Sequence, residues 1–246
     1  MRAVTVDLDD TLFAQARWLE GAWSAVADAG TRRGLDRAEL HAALLAIAAE
    51  GSDRGRIIDR ALAVCGGQPW DVPPLVEAFT AHAPARLPLY PGVARSLDTL
   101  RAAGLRIAVI TDGNPRTQQA KLTALRLTAA CRGISCVVIS DELGGRAARK
   151  PAAAPFLEAL SQLGVPAAQA IHIGDSAAKD VAGAAGAGLR CVRVLTGEHA
   201  HRPVGRDCPE PWRTVPTFED AARVVLQELH RTPPVRVTKA APVRLR

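Results

Sequence analysis

Aromatic residues are scarce in this chain. Among 246 residues there are one Tyr, four Phe and four Trp, so the hydrophobic core has to be built mainly from Ala, Leu and Val. No uninterrupted apolar run reaches the roughly 18 residues expected of a transmembrane helix. The N-terminus enters a strand-like run without an apolar signal segment. We therefore expect a cytoplasmic protein with no membrane partner.

Cysteine is also sparse. The five cysteines are odd in number, widely scattered and without a CxxC pair; they are Cys65, Cys131, Cys136, Cys191 and Cys208. This pattern argues against a disulfide framework and against a zinc site. Reduced thiols are the expected state.

The charge of the chain is moderately positive, with a formal net charge of +6. Part of it lies in the last residues, where a basic tail over 233–246 is predicted to be flexible. The tail lacks the aromatic residues that stack on nucleic-acid bases, so no nucleic-acid partner is expected. A modest positive field suits a small anionic substrate.

Strand-length apolar runs alternate with helical patterns after residue 91. Continuous apolar strands of this kind indicate a parallel sheet covered by helices on both faces, that is, a doubly wound α/β fold. The five predicted strands are Ala3–Leu8, Leu105–Thr111, Cys136–Ser140, Ala170–Gly174 and Leu189–Val194. Helices are predicted near 115–127, 152–163, 179–187 and 219–231, and 199–220 is predicted to be a loop.

Residues 14–88 interrupt this alternation. They contain no convincing strand, have helical spacing, and carry Gly30 and Gly51 as predicted helix stops. We predict a helical cap over 14–88, inserted into a core domain formed by 1–13 and 89–232.

Polar side chains follow each of the first four strands. Ligands of open α/β sheets bind beyond the carboxyl ends of the strands, so these groups should share one rim. They are Asp7 and Asp9 after the first strand, Thr111 and Asp112 at the second, Lys150 past the third, and Asp175 with Asp180 after the fourth.

Carboxylates crowded at one edge repel each other. At an effective dielectric constant of ~20, two charges ~4 Å apart cost about 4 kcal/mol. Mg²⁺ removes that repulsion, and it accepts carboxylates, waters and a phosphate oxygen. Asp7, a backbone carbonyl near Asp9, and Asp175 provide such a site. Alternation turns Asp7 and Asp9 to the same side, so one can attack while the other handles a proton.

Four motifs in this order resemble those of the haloacid dehalogenase-like hydrolase superfamily: "DLDDTL", "ITDGN", "RKP" and "GDSAAKD". The resemblance extends to about Val194, and the helical insert stands where the C1 cap of subfamily I belongs. The stretch "DGNPRTQQAKLTALRL" is similar to nucleotidases and N-acylneuraminate-9-phosphate phosphatases of that superfamily.

The resemblance implies a role for each motif. Asp7 is expected to be the nucleophile that forms an aspartyl-phosphate, and Asp9 the general acid and base. Thr111, Asp112 and Lys150 are expected at the substrate phosphate. Asp7, Asp9 and Asp175 are expected to bind Mg²⁺, with Asp180 in support.

Several of these residues also have a purely structural interpretation. Asp at a strand end is commonly a helix cap or turn residue. Asp180 can be an acid favoured by a helix dipole, and Asp10 a structural or solvated acid. His172, inside an apolar strand, is predicted to be a partnered core histidine.

Position 112 departs from the family pattern, because it is Asp where relatives usually have Asn. A carboxylate beside phosphate is repelled, so Asp112 should point away, pair with a cation such as Arg116, or weaken binding. Specificity is expected from the cap. The candidates for contact with the leaving group are Arg17, Trp18, Trp23, Arg54 and Arg56, although Trp18 and Trp23 can equally belong to the cap core.

The predicted function is Mg²⁺-dependent hydrolysis of a small phosphorylated metabolite. Two alternatives stay open: a sugar-phosphate mutase of the same fold, and a non-catalytic binding or regulatory protein. Dehalogenases of this superfamily lack the second aspartate and the Mg²⁺ site, so Asp9 and Asp175 argue against that activity.

Overall fold

The sheet of this protein has six strands, all parallel. A computed structural model describes residues 1–51, 55–128 and 132–231. The strands lie in the order β3-β2-β1-β4-β5-β6. Their bounds are β1 Ala3–Val6, β2 Arg106–Thr111, β3 Cys136–Ile139, β4 Ala170–Gly174, β5 Arg190–Val194 and β6 Arg213–Val215. The predicted α/β fold with a parallel sheet is confirmed.

The sixth strand was not predicted, since 199–220 was expected to be a loop. Strand β6 has only three residues, two of them exposed, and it pairs with β5 at the edge of the sheet. A strand this short and polar has no apolar run to indicate it. Its position is fixed by pairing, with Arg213 opposite Val192.

The described part of the chain contains ten α-helices. They are α1 Gln15–Thr31, α2 Arg37–Ala48, α3 Ile57–Val64, α4 Val72–Ala81, α5 Val93–Ala102, α6 Pro115–Ala124, α7 Asp141–Gly144, α8 Ala154–Leu163, α9 Ala182–Gly186 and α10 Phe218–Arg231. A π-helical turn, Ala177–Val181, precedes α9. None of the described helices is both long and apolar enough to cross a membrane.

Alternate residues of the central strands enter two different cores. Val4 and Ile107 pack with α5 and α10 on one face. On the other face, Ala108 packs with α8 and α9. Because both faces are covered, the strands are apolar at nearly every position, which explains why their sequences lack simple alternation.

Helices α1 to α4 follow β1 and share a core of their own, which includes Trp23, Leu40 and Leu44. Gly30 is predicted to stop α1, but the helix continues to Thr31. An added Cβ at Gly30 would be 2.4 Å from Leu40 Cδ2. The glycine is therefore needed for close packing of α1 on α2. The cap boundaries 14 and 88 stay a prediction.

Candidate active site

The site lies at the carboxyl ends of the central strands. Asp7 directly follows β1, and its backbone N–H donates to the carbonyl of Ile173 in β4 at 2.9 Å. Asp175 directly follows β4. The chain leaves β1 toward β2 on one side and reaches β4 on the other, so this edge is a topological switch point, where ligands of open α/β sheets bind.

Three buried carboxylates converge there. Asp7, Asp175 and Asp180 are 6%, 5% and 1% exposed. Each contributes one carboxylate oxygen to a set whose members all lie within 4.8 Å of one another. Asp180 is thus part of the cluster on the same terms as Asp7 and Asp175, whereas the sequence predicts for it only a supporting role in metal binding. The carboxylate of Asp9 is directed elsewhere.

Lys150 is the cation of this cluster. Its ammonium group contacts Asp7 Oδ1, and it lies 2.7 Å from Asp180 Oδ1. Its side chain is 3% exposed. Burial opposes the charged form, but the carboxylates of Asp180 and Asp7 outweigh it and raise the pKa of Lys150 well above its ordinary value. The ammonium therefore stays charged and orients Asp7.

Asp180 is held by two further contacts. The backbone N–H of Ser176 donates to Asp180 Oδ2 at 3.0 Å, so the carboxylate also caps its own turn. His172 Nε2 lies 3.2 Å from Asp180 Oδ1, and His172 Nδ1 lies 2.9 Å from Thr5 Oγ1. His172 is fully buried, as predicted for a core histidine. Burial opposes ionisation of Asp180, yet Lys150 and His172 hold its pKa below its usual range.

Asp7 and Asp175 differ from Asp180 in their protonation. Burial raises the pKa of Asp7 to about 7, although Lys150 opposes the shift. Burial, with repulsion from Asp180 and Asp7, raises the pKa of Asp175 to about 9. Three ionised carboxylates would carry more negative charge than one ammonium group can balance, so Asp7 and Asp175 retain protons unless a further cation is bound. The donors are all hard oxygen atoms, so the residues present fit Mg²⁺.

Asp9 lies beside the cluster and pairs with a residue that the sequence did not single out. Lys121 Nζ lies 2.7 Å from Asp9 Oδ1 and 3.0 Å from Oδ2. The Asp9 side chain is 19% exposed, against 8%, 7% and 1% for the side chains of Asp7, Asp175 and Asp180. It is therefore placed for exchange of a proton with a substrate or water.

The second motif adopts a different arrangement from the one predicted. The Thr111 side chain is buried and donates to Gln118 Oε1 at 3.0 Å. Asp112 accepts from Ser140 Oγ at 2.8 Å and from the backbone N–H of Lys150 at 3.1 Å. Arg116 does not neutralise Asp112, because it pairs with Glu77 at 2.6 Å. Asp112 thus anchors the loop that carries Lys150.

A cavity of about 830 Å³ joins these groups to helices α1, α3 and α4. Trp18 and Trp23 line its wall although they are only 1% and 4% exposed, so both are packed in the core and adjacent to the cavity. Arg56 also lines it. Arg17 is exposed on α1 and is not one of the lining residues. Arg54 lies outside the described residues.

Asp10 has a structural role at the entrance to α1. It is 7% exposed, adopts φ +58°, and accepts from the backbone N–H groups of Gln15 at 2.9 Å and Glu198 at 3.0 Å. These contacts tie the first helix to the loop after β5. The expectation of a structural acid agrees with this position, whereas a solvated acid does not.

Sequence reasoning also missed Arg193 and His199. Arg193 is 4% exposed and donates to the carbonyls of Asp175 at 3.1 Å and His199 at 2.8 Å. His199 Nδ1 lies 3.6 Å from Asp175 Oδ2. Arg193 could have been predicted from its place within the apolar run of β5, because a buried guanidinium group needs hydrogen-bond acceptors.

A family model for haloacid dehalogenase-like hydrolases matches residues 1–188. The chain therefore belongs to this family of hydrolases, and the resemblance seen in its motifs is confirmed. A glyceraldehyde 3-phosphate phosphatase from Methanopyrus kandleri is 33% identical over 206 residues, 81% of this chain and 86% of the relative. A phosphoglycolate phosphatase from Rhodospirillum rubrum is 34% identical over 82% of this chain and 83% of its own.

Solved structures of the family have the same fold. A 2-haloacid dehalogenase from Pseudomonas syringae pv. Tomato DC3000 superposes with a TM-score of 0.63 at 25% identity, covering 93% of this chain and 99% of its own. The fold is thus common to relatives named for different reactions, and the particular reaction has to be argued from the site.

Proposed function

We propose that this enzyme is a Mg²⁺-dependent phosphatase of small phosphomonoesters. The observation that carries the proposal is the convergence of Asp7, Asp175 and Asp180 at one sheet edge, with Lys150 in contact with Asp7 and Asp180, at a cavity large enough for a metabolite. The names of the relatives, phosphatases of glyceraldehyde 3-phosphate and of phosphoglycolate, support the same class of substrate.

Asp7 attacks the phosphorus atom through a carboxylate oxygen, and the bond to the leaving oxygen breaks. Asp9 gives its proton to that oxygen. Water then attacks the phosphorus of the aspartyl-phosphate while Asp9 takes its proton, and phosphate leaves with Asp7 restored. Lys150 holds Asp7 in place and balances its charge throughout.

Asp7, Asp175 and Asp180 would hold the Mg²⁺ ion, which would supply positive charge against the phosphate oxygens. Phosphoryl transfer depends mainly on positioning and charge stabilisation, so these groups suffice for the reaction. Asp112 lines the cavity and holds the backbone N–H of Lys150. Thr111 is not one of the lining residues, and we assign it an indirect role in phosphate binding through Gln118, which lines the cavity.

The test is release of inorganic phosphate from a panel of phosphate esters with Mg²⁺ present. We expect turnover that EDTA abolishes and added Mg²⁺ restores. Asp7→Asn should remove it, while Arg17→Gln, at an exposed site outside the cavity, should not. If the enzyme releases phosphate from none of the esters in the panel, the proposal is excluded.

Two other reactions of the same fold give different products. A mutase returns the phosphoryl group to the substrate, so an isomeric phosphate ester accumulates instead of free phosphate. A dehalogenase releases halide from a 2-haloacid; the carboxylates of Asp9 and Asp175, with the cation they imply, disfavour that reaction. Product analysis with a sugar phosphate and with 2-chloropropionate separates the three.

A further inference from the structure

Lys121 is a buried cation outside the four motifs. It lies on α6, its side chain is 4% exposed, and both Asp9 carboxylate oxygens are within 3.0 Å of its ammonium group. Lysine is almost never so deeply buried unless it is paired. The pair spans 112 residues of sequence and links the strand end of the core to the helix that follows β2.

A second contact fixes the same ammonium group from the side of α1. Lys121 Nζ lies 4.6 Å from the ring centroid of Trp18. Trp18 is itself held edge-on against Phe79 of α4, with ring centroids 5.0 Å apart. A cation over an indole face is attracted by the ring quadrupole, and more strongly where water is excluded. Lys121 is therefore restrained by the carboxylate and by the indole.

We propose that Lys121 is a positioning residue that holds the Asp9 carboxylate in the orientation needed for proton transfer to the leaving group. The inference rests on the proposed function, in which Asp9 protonates the leaving oxygen. Without the two-oxygen contact the Asp9 side chain can rotate at the strand end, and misplacement by about 1 Å can lower a rate by about 10²-fold. Lys121 acts through Asp9 and not on the phosphoryl group.

The leaving group separates this role from a structural one. An alkyl ester leaves as a strongly basic alkoxide and needs a proton from Asp9, whereas p-nitrophenolate leaves without one. The ratio kcat/KM reports only the steps through departure of the leaving group, so the later water attack does not enter it. A variant that merely loosens the fold lowers kcat/KM for both esters alike.

We therefore compare glycerol 1-phosphate with p-nitrophenyl phosphate in the full-length Mg²⁺-loaded enzyme. Lys121→Met should lower kcat/KM for the alkyl ester by about 100-fold, the usual size of a general-acid contribution, and the loss on the aryl ester should be at least about tenfold smaller. Asp9→Asn should show the same selectivity, and adding Lys121→Met to Asp9→Asn should cause no further loss on the alkyl ester.

Equal losses on the two esters, or no loss on the alkyl ester, would overturn the positioning role. If Lys121→Met does not fold, Lys121→Arg carries the test: it keeps the charge, changes the contact geometry, and should still lose more on the alkyl ester. A wild-type enzyme inactive on every ester would overturn the proposed function itself, and the positioning role with it.

Discussion

Lys150 shows how much depends on one side chain. Its ammonium group contacts Asp7 and Asp180, and its backbone N–H is held by Asp112. The surrounding groups are buried, so no water replaces a lost partner. Removal of one member of such a cluster leaves an uncompensated charge, which is far more costly than the net value of the pair.

Replacement of Lys150 by Met should therefore destabilise the metal-free protein by about 3–5 kcal/mol and abolish turnover. Urea unfolding measures the change in free energy. Lys150→Met combined with Asp180→Asn should recover part of the loss, because the remaining buried charge is then smaller. A cost below about 1 kcal/mol for the single variant would mean that Lys150 is not buried between the two carboxylates.

Some residues of the site can be predicted from the sequence, and others cannot. Asp7, Asp175 and Lys150 could be predicted because each follows a recognisable strand and belongs to an ordered motif. The Lys121 contact with Asp9 could not, since it depends on how α6 packs beside β1. The partners of Asp112 depend likewise on where Ser140 and Lys150 arrive in space.

Strand β4 and the turn after it are closely packed against each other. A Cβ added at Gly174 would lie 2.3 Å from Asp180 Cγ, so the glycine makes room for the carboxylate that Lys150 binds. The turn then carries Asp180 back over the end of its own strand. The π-helical geometry places it there, and sequence spacing alone predicted only a helix near 179–187.

Gly174→Ala should displace Asp180 and with it Lys150. We expect a loss of about 1–3 kcal/mol in unfolding free energy, the usual range for overpacking, together with a large loss of kcat. Gly186→Ala is the matched control, because a Cβ there meets nothing within 4 Å; it should stay within about 0.5 kcal/mol of wild type. Equal unfolding free energies and equal kcat values for the two variants would contradict the close packing of Gly174 against Asp180.

Elements with long apolar runs are the ones that sequence predicts well. Strand β4 has the predicted bounds, and β2 and β5 begin one residue later than predicted. Strand β6 is not predicted from the sequence, because its pairing with β5, and not its composition, makes it a strand. Helix α6 ends at Ala124, three residues before the predicted end.

On the scale of the whole molecule, the acid cluster links metal binding to pH. With the pKa of Asp7 raised to about 7 and that of Asp175 to about 9, mainly by burial, the metal-free folded protein holds more protons on these two carboxyl groups than the unfolded chain does between about pH 4 and about pH 9. Its unfolding free energy should therefore fall as pH rises to about 9.

Mg²⁺ should reverse that trend, because it favours the ionised carboxylates. The gain in Tm on addition of Mg²⁺ should be larger at about pH 8.5 than at about pH 6. Calorimetry near neutral pH, in buffers of different ionisation enthalpy, should show about one proton released per Mg²⁺ bound. Asp175→Asn should suppress the release; a release unchanged in that variant would exclude Asp175 as the titrating group.

Two arginine side chains from different parts of the chain line the cavity. The side chain of Arg56, which immediately precedes α3, is 83% exposed with a 3.7 Å contact to Asp59, and an added Cβ at Gly55 would lie 3.9 Å from Arg146 Nη2. Both arginines line the cavity. Guanidinium groups so placed favour a leaving group that carries its own carboxylate or phosphate.

We accordingly expect 3-phosphoglycerate to have a lower KM than glycerol 1-phosphate. The double variant Arg56→Gln/Arg146→Gln should raise KM for 3-phosphoglycerate about tenfold, the effect of losing about 1.4 kcal/mol of binding free energy. It should change KM for glycerol 1-phosphate, whose leaving group is neutral, much less. Arg17→Gln serves as the control outside the cavity. Equal KM values for the two esters in the wild type would contradict the expectation and leave hydrolysis itself unaffected.

The most direct test of the account is the site of covalent phosphorylation. Asp9→Asn enzyme with Mg²⁺ and p-nitrophenyl phosphate should accumulate the aspartyl-phosphate, since water attack lacks its base. Acid quench, borohydride reduction and peptide mass spectrometry should then find homoserine at position 7. Homoserine at another aspartate, or turnover of the ester by wild-type enzyme with no phosphorylated Asp7 under any quench, would contradict the assignment of Asp7 as the nucleophile.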